Sequence, residues 1–164
     1  MTQITPCIWM NGTAEEAANF YVALFDNARI DSISRYTADQ PFPPSFAPGT
    51  AMLVTFTING QPFAALNGGP NFPQTEAVSF VIPVETQDEL DRYWNGLIAD
   101  GGSESMCGWC KDRYGVSWQV VPGRVLDMHV NGTAEQKARI WQVILSSRKL
   151  DVAALDAAYA GEAA

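Results

Sequence analysis

The chain has few of the residues that build metal centres, disulfide scaffolds and nucleic-acid surfaces. Its 164 residues include one histidine and three cysteines, and 18 acidic residues outnumber 10 basic ones to give a net charge of −8. One histidine cannot form a His-rich metal site, and three cysteines are too few for a disulfide framework, so we expect a reduced, cytoplasmic protein. The acidic balance disfavours nucleic acid as a partner, because phosphates would be repelled.

Long apolar runs are also missing. No stretch approaches the roughly 20 apolar residues that span a bilayer, and the start of the sequence resembles no secretory signal, so we expect no membrane partner. Hydrophobic residues are nevertheless plentiful, at 47% against 17% charged, which suffices for a packed core. The length suits one domain, or two small halves that share a core.

An internal repeat organises most of the chain. Two segments carry the apolar spacing of an amphipathic helix, and corresponding members are 73 residues apart. The first stripe consists of Ala17, Phe20, Tyr21, Leu24 and Phe25. The second consists of Leu90, Tyr93, Trp94, Leu97 and Ile98. At the same offset, the strand-like run 4–10 before the first helix maps onto 77–83 before the second.

Strand-like runs follow each predicted helix. In the first half they cover 28–36, 50–58 and 62–67. In the second half they cover 103–109, 110–111 and 116–121. Asn59-Gly60 is a two-residue hairpin signal between two of these runs. The sequence therefore predicts an α+β fold, in which paired βαβββ modules form a curved mixed sheet around a cleft with the helices outside.

We expect a single domain, 1–164, made of module one (1–72), module two (73–122) and a C-terminal helical extension (123–164). The extension contains a helix over 133–147 and an Ala-rich helix over 150–160 that Gly161 closes. The apolar stripe predicted for the first of these helices comprises Ala134, Ala138, Trp141 and Leu145, with Ile140 and Ile144 beside it. The tryptophans expected in the core are Trp9, Trp94, Trp118 and Trp141.

Short motifs in the chain favour structural over chemical explanations. Thr13 with Glu16, and Thr133 with Gln136, have the spacing of two capping boxes. Cys107-Gly108-Trp109-Cys110 spells C-x-x-C, but a thioredoxin-type motif opens a helix, whereas strand-like sequence surrounds this one. A redox role is therefore disfavoured, and His129 is interpreted as a packing or surface histidine.

Several segments together carry a family resemblance. They are 11–17, Phe20-Tyr21, 67–70, 91–94, 107–109, 112–122 and 150–155. With these segments the chain resembles the PhnB-like members of the vicinal oxygen chelate superfamily, which has the glyoxalase and bleomycin-resistance fold. The resemblance implies a homodimer and a small-molecule ligand. Many relatives are labelled demethylubiquinone methyltransferase, but the Gly-rich turn that usually holds a methyl donor in a doubly wound sheet is not seen in the sequence.

The resemblance also implies where a metal would be bound. Active members of the superfamily hold a divalent ion with His or Glu at four inward-facing strand positions. The corresponding positions here are Pro6, Asn67 (or Leu66), Ser79 and Gln119. These side chains are poor metal ligands, so we expect no conventional metal site and no cofactor, although a divalent metal held weakly stays possible.

The residues that remain suggest a binding cleft. We predict that Ser79, Gln119, Asn67 and Trp109 contact a ligand there, with Ser79 and Gln119 close together; alternatively, these two satisfy each other. Binding of a small molecule without a conventional metal is our leading functional hypothesis. The alternatives are an enzyme, such as a lyase, isomerase or transferase with a weak metal site, and a purely structural role. The catalytic residues, if any, are not identifiable from the sequence.

Overall fold

The computed structural model describes residues 3–39 and 46–162. The chain divides into two compact units, Met1–Gln74 and Thr75–Ala164, which we call unit 1 and unit 2. Each unit contains one βαβββ module built around one four-stranded mixed sheet, which confirms the predicted α+β class. In the described part of the chain, no helix is long and apolar enough to cross a membrane.

Four strands and one helix form the described part of unit 1. They are β1 (Cys7–Met10), α1 (Ala14–Leu24), β2 (Ala28–Arg35), β3 (Ala51–Ile58) and β4 (Gln61–Asn67). The strand order in the sheet is β1-β4-β3-β2, with β1 parallel to β4 and the other pairs antiparallel. The predicted hairpin is confirmed, because Asn59 and Gly60 between β3 and β4 both have positive φ angles (48° and 82°), as the turn that matches strand twist requires.

Aromatic rings fill the space between α1 and its sheet. Tyr21 of α1 stacks on Phe56 of β3 with ring centroids 5.9 Å apart, and Phe56 stacks on Phe63 of β4 at 5.4 Å. All three side chains are buried. Small residues, Ala14 and Ala17 among them, line the buried stripe of the helix and let it approach the sheet closely.

Unit 2 repeats the module and adds three helices. Its elements are β5 (Phe80–Val84), α2 (Gln87–Ile98), a 3₁₀ turn (Ala99–Gly101), β6 (Ser103–Glu104), β7 (Trp109–Lys111), β8 (Ser117–Pro122), α3 (Arg124–Asn131), α4 (Ala134–Ser146) and α5 (Val152–Ala160). The strand order is β5-β8-β7-β6, with β5 parallel to β8. The core residues of α2 are the predicted ones, Leu90, Tyr93, Trp94 and Leu97.

The two modules repeat with an offset of 73 residues in their helices but 74 in their first strands. Ile8 and Met10 are buried toward α1, and their buried counterparts in β5 are Ile82 and Val84. The predicted alignment of 4–10 with 77–83 is therefore wrong by one residue. Because side chains alternate across a strand, this slip exchanges the two faces of the sheet. Its source is the strand-to-helix connection, which is one residue shorter in unit 2.

Two further differences from prediction lie in unit 2. The run 103–109 is not one strand, because β6 ends at Glu104 and a turn follows, in which Cys107 and Gly108 have left-handed φ angles of 63° and 80°. Helix α3 was not predicted, and it places His129 inside a helix rather than in a connection. The strand predicted over 116–121 is confirmed as β8.

Helices α4 and α5 match the predicted ranges, but the buried stripe of α4 differs. Ile140 and Ile144 are buried, whereas Trp141 is 47% exposed and Leu145 is 62% exposed. The prediction that Trp141 belongs to the core is therefore wrong for this chain on its own. Trp94 and Trp118 are buried as predicted, and Trp9 is half-buried.

Candidate functional site in unit 2

The sheet of unit 2 has two chemically different faces. One face packs on α2 and carries the buried side chains of Ile82, Val84, Cys110, Trp118 and Val120. The neighbours of these residues along each strand point the other way, because side chains alternate across a strand. We call that second surface the polar face; it is formed by Val81, Ser103, Trp109, Lys111, Ser117 and Gln119.

Strand register arranges the polar face in two rows. Ser103 of β6 lies opposite Lys111 of β7, and Lys111 lies opposite Ser117 of β8. In the next row Trp109 lies opposite Gln119, and Gln119 lies opposite Val81 of β5. Directly opposed residues in neighbouring strands have Cβ atoms about 4.5–5.5 Å apart, so the side chains within a row can contact one another or share a ligand.

Three of the four predicted ligand-binding residues come together on this face. Gln119 donates from Nε2 to Ser79 Oγ at 2.9 Å, so the predicted proximity of these two side chains is confirmed. Trp109 is the register neighbour of Gln119. All three side chains are half-buried, which leaves each of them partly accessible. The Gln119–Ser79 bond still leaves the Gln119 amide oxygen as an acceptor on this face.

A small cavity opens beside the first row. Its volume is about 140 Å³, and it is lined by Glu76, Ser103, Glu104, Ser105, Trp109, Cys110, Lys111 and Ser117. Ser117 is only 2% exposed, and its Oγ has no hydrogen-bond partner among the described residues. Buried polar atoms in folded proteins nearly always have a partner, so this hydroxyl marks a place where a hydrogen bond is expected.

Lys111 supplies the positive charge of the cavity. Its ammonium forms an ion pair with the carboxylate of Glu76, which lies in the segment between β4 and β5. The hydrogen bond from Lys111 lowers the pKa of Glu76, and the carboxylate is therefore ionised at neutral pH. The acidic neighbour Glu104 is engaged elsewhere, since it accepts from Trp94 Nε1 at 3.3 Å and pairs with Arg148 at 3.6 Å.

Asp112 fixes the turn that leads into the site. Its Oδ1 accepts from the backbone N–H groups of Tyr114 (2.8 Å) and Val116 (3.1 Å), and its Oδ2 accepts from Trp118 Nε1 (2.9 Å). These bonds anchor both ends of the turn between β7 and β8. They hold Lys111 and Ser117, which flank the turn, in one row. Neither residue is among the predicted site residues, although the alternation of 117, 119 and 121 in β8 indicates that Ser117 shares a face with Gln119.

The fourth predicted residue, Asn67, has a structural role in unit 1. Its side chain is fully buried, with Oδ1 accepting from the N–H groups of Gly12 (2.8 Å) and Ala14 (3.1 Å) and Nδ2 donating to the Ala51 carbonyl (2.8 Å). Asn67 therefore caps α1 from the helix side of the sheet. We leave it out of the site proposed below.

This arrangement corrects the first predicted capping box. Thr13 precedes α1 as expected, but its side chain makes no capping hydrogen bond, because Asn67 already accepts from the N–H groups at the start of that helix. The second box is confirmed, since Thr133 accepts from Gln136 N–H at 3.2 Å and Gln136 accepts from Thr133 N–H at 2.8 Å.

Two of the positions that correspond to metal ligands in the superfamily, those of Pro6 and Leu66, lie in unit 1. Pro6 precedes β1 and accepts a hydrogen bond from Ala64 through its carbonyl, and Leu66 lies on the face of its sheet opposite α1. Within residues 3–39 and 46–162, no three His, Cys, Asp or Glu side chains are grouped so that they could hold a metal ion.

The C-x-x-C segment is part of the scaffold of unit 2. Cys110 is buried, and burial, followed by the charges of Asp112 and Glu104, raises the pKa of its thiol to about 12. Cys107 donates its backbone N–H to the carbonyl of Ser147. A thiol with a raised pKa is a poor nucleophile, so the geometry agrees with the structural interpretation of this motif.

Each unit has one βαβββ module whose first strand is parallel to its last. This is the arrangement that the resemblance to the vicinal oxygen chelate superfamily predicts. Residues 2–121 match the family described as 3-demethylubiquinone-9 3-methyltransferase, and the chain belongs to that PhnB-like family. Helices α3, α4 and α5 follow the matched region.

Solved structures support this assignment. A PhnB protein from Bacillus cereus, described as a candidate 3-demethylubiquinone-9 3-methyltransferase, is 38% identical with a TM-score of 0.66, covering 74% of this chain and 99% of its own. Protein PA1353 from Pseudomonas aeruginosa is 24% identical with a TM-score of 0.61, covering 74% and 98%. The fosfomycin resistance protein FosX from Listeria monocytogenes, solved with Mn(II) and sulfate, shares the fold at 11% identity and a TM-score of 0.50, covering 74% and 90%. No curated protein matches the chain.

Proposed function

We propose that the protein binds a small polar molecule on the polar face of unit 2. The observation that carries the proposal is the buried hydroxyl of Ser117, which has no partner among the described residues although Ser117 lines a cavity. Leaving such a group unsatisfied costs about 1–3 kcal/mol, and a hydrogen bond to a ligand would offset that cost. Ser79, Gln119 and Trp109 supply neighbouring polar and aromatic contacts.

The size of the cavity limits the ligand. Pockets for drug-sized molecules have volumes of about 300–1,000 Å³, whereas this one measures about 140 Å³. The ligand is therefore small, or it inserts only one end here. S-adenosylmethionine, the methyl donor that the family description suggests, is too large for this cavity as a whole. Neither sheet of the described chain is a doubly wound parallel sheet, the fold in which a Gly-rich turn usually holds such a donor.

The alternative is an enzyme that holds a divalent metal weakly through Gln119. The side-chain amide of Gln119 donates to Ser79, and an amide carries no charge to hold a divalent ion. Binding is the function that the residues on this face support better. Non-covalent binding requires only the hydrogen-bonding groups and the aromatic ring already present on the polar face.

We also propose the oligomeric state and the localisation of the protein. The protein is a cytoplasmic homodimer, as its resemblance to this superfamily implies, with modules 1–72 and 73–122 and an extension from 123. Support comes from the extension, where α3 and α4 expose large apolar side chains: Leu126, Val130, Trp141 and Leu145. A native mass spectrum of the purified protein tests this directly, because it weighs the assembly together with any metal or ligand. A monomer would contradict the proposed dimer.

Thermal shift with a panel of small polar compounds tests the binding function. Compounds that raise the Tm of the wild type should fail to do so for Ser117→Ala and should act more weakly on Gln119→Ala. Ser34→Ala, at an exposed strand position in unit 1, is the matched control and should respond like the wild type. An undiminished response of Ser117→Ala, or a panel in which nothing raises the Tm, would count against binding at this face.

A further inference from the structure

Lys111 and Ser117 together form an arrangement of donors in the cavity of unit 2. Lys111 has three N–H donors and no acceptor, and Ser117 has a hydroxyl without a partner among the described residues. Strand pairing places them directly opposite each other, and Ser103 lies on the other side of Lys111. An ammonium between two hydroxyls suits a group that accepts several hydrogen bonds and carries a negative charge.

Glu76 already provides such a group. Its carboxylate pairs with Lys111 and lines the same cavity, yet its side chain is 62% exposed and belongs to a segment outside the regular elements. Ion pairs between exposed side chains contribute little to stability, because water solvates both partners well. The Glu76 carboxylate can therefore leave Lys111 at small cost when another anion arrives.

We propose that the cavity binds the anionic group of a ligand, a carboxylate or a phosphonate-like group, which replaces Glu76 on Lys111 and accepts a hydrogen bond from Ser117. Glu76 then acts as a built-in competitor that occupies the cation until a ligand is bound. The inference rests on the proposed binding function and adds the charge of the ligand to it. Trp109, in the wall of the cavity and beside Gln119, contacts the apolar part of the ligand.

Three aromatic probes of similar shape test the charge requirement. Benzoate and phenylphosphonate carry the two kinds of anion, and benzamide is the neutral match for benzoate. Binding is followed by titration of the backbone amide signals of Lys111 and Ser117 in ¹H–¹⁵N NMR spectra of the full chain. The variants are Glu76→Gln and Lys111→Met. Their matched controls are Asp91→Asn and Lys149→Met, which alter a second ion pair of unit 2, with 2.8 Å between its atoms and a lysine of similar exposure.

Benzoate should bind about 2- to 5-fold more tightly to Glu76→Gln than to the wild type, the change expected when a competing exposed ion pair is removed. It should bind roughly 10-fold or more weakly to Lys111→Met, because a charge-assisted hydrogen bond is lost. Benzamide should be insensitive to both substitutions, and the Asp91 and Lys149 variants should behave like the wild type. Tighter binding of phenylphosphonate than of benzoate would assign a phosphonate-like ligand, and the reverse order a carboxylate.

Other outcomes overturn the inference and separate it from the proposed function. Equal tightening by Glu76→Gln and Asp91→Asn would mean a general effect of net charge, not competition at Lys111. Equal responses to benzoate and benzamide would remove the charge requirement and leave binding at the polar face intact. If neither anion shifts the Lys111 and Ser117 signals while neutral compounds still raise the Tm through Ser117, the anion inference fails alone. If neutral compounds fail as well, both proposals fail.

Discussion

Units 1 and 2 share a strand order and pairing pattern, yet their last strands, β4 and β8, carry polar residues at different positions. Strand pairing makes Ser117 and Gln119 equivalent to Pro62 and Ala64 of unit 1. Lys111 likewise corresponds to Thr57, whose hydroxyl donates to Asp31 at 2.6 Å. At these three positions unit 1 has a proline, an alanine and a threonine bonded to an aspartate, whereas unit 2 has a serine without a described partner, a glutamine and a lysine.

The helix-side positions show the reverse difference. Asn67 of unit 1 is buried and caps α1 across the fold, whereas its equivalent in unit 2 is Pro122, and α2 is capped locally by Thr86, which accepts from Glu89 N–H at 3.2 Å. The buried side-chain amide of Asn67 therefore stabilises unit 1. Unit 2 caps its helix with an exposed residue, Thr86, and the polar residues Ser117 and Gln119 of its last strand lie on the face opposite α2.

Removing the caps should give the largest difference between the units. Asn67→Ala leaves the N–H groups of Gly12 and Ala14 and the Ala51 carbonyl without their buried partner, so we expect a loss of about 3–5 kcal/mol in the free energy of unfolding. Thr86→Ala removes one exposed cap and should cost about 1 kcal/mol. Urea denaturation of the two variants measures both values. Equal losses would contradict the structural role assigned to Asn67.

The Ser117 substitution should have a smaller effect, of the opposite sign. Ser117→Ala removes a buried hydroxyl that has no partner in the described structure, so the ligand-free protein should gain about 1–3 kcal/mol of unfolding free energy. The same variant should lose its response to ligands, a trade of function for stability. Urea denaturation without ligand checks the gain. Destabilisation by this variant would show that the hydroxyl is satisfied in the folded protein and would weaken the proposed site.

The two predicted capping boxes provide a third, smaller contrast. Thr133→Ala breaks a complete box and should cost about 1 kcal/mol. Thr13→Ala removes no capping bond, since Asn67 caps that helix, and should stay within about 0.5 kcal/mol of the wild type. Both values come from the same denaturation experiment. A larger cost at Thr13 than at Thr133 would show that the first box forms in solution.

The sequence predicted the module pattern well because helical spacing and hairpin signals are local. The paired stripes, the Asn59-Gly60 turn and the Thr133 box all depend on residues close together in the chain. The errors arose where distant residues decide the outcome. Asn67 displaces Thr13 as the cap of α1 from more than 50 positions away.

The candidate site was only partly predictable for the same reason. The resemblance identified Ser79 and Gln119, but the contribution of Lys111 depends on the register between β7 and β8. The turn at Asp112 sets that register. No short sequence motif predicts the three hydrogen bonds that Asp112 accepts there. The one-residue error in the alignment of 4–10 with 77–83 also limits the prediction, because a strand shifted by one position assigns every side chain to the wrong face.

The smallest expected effect concerns the pH dependence of the Lys111–Glu76 pair. The hydrogen bond from Lys111 lowers the pKa of Glu76. A carboxyl whose pKa is lowered in the folded state contributes stability above its unfolded pKa and loses it as the pH falls through the folded value. The pair should therefore be intact at neutral pH and open below the ordinary glutamate pKa of about 4.3.

Side-chain NMR of the Lys111 methylene groups can follow this opening. Between pH 7 and pH 3 the wild-type signals should move toward those of Glu76→Gln, whose own signals should stay nearly constant. Signals of Lys111 that are already identical in the wild type and Glu76→Gln at pH 7 would show that the competitor does not occupy the cation, and the polar face would then bind its ligand without an exchange step.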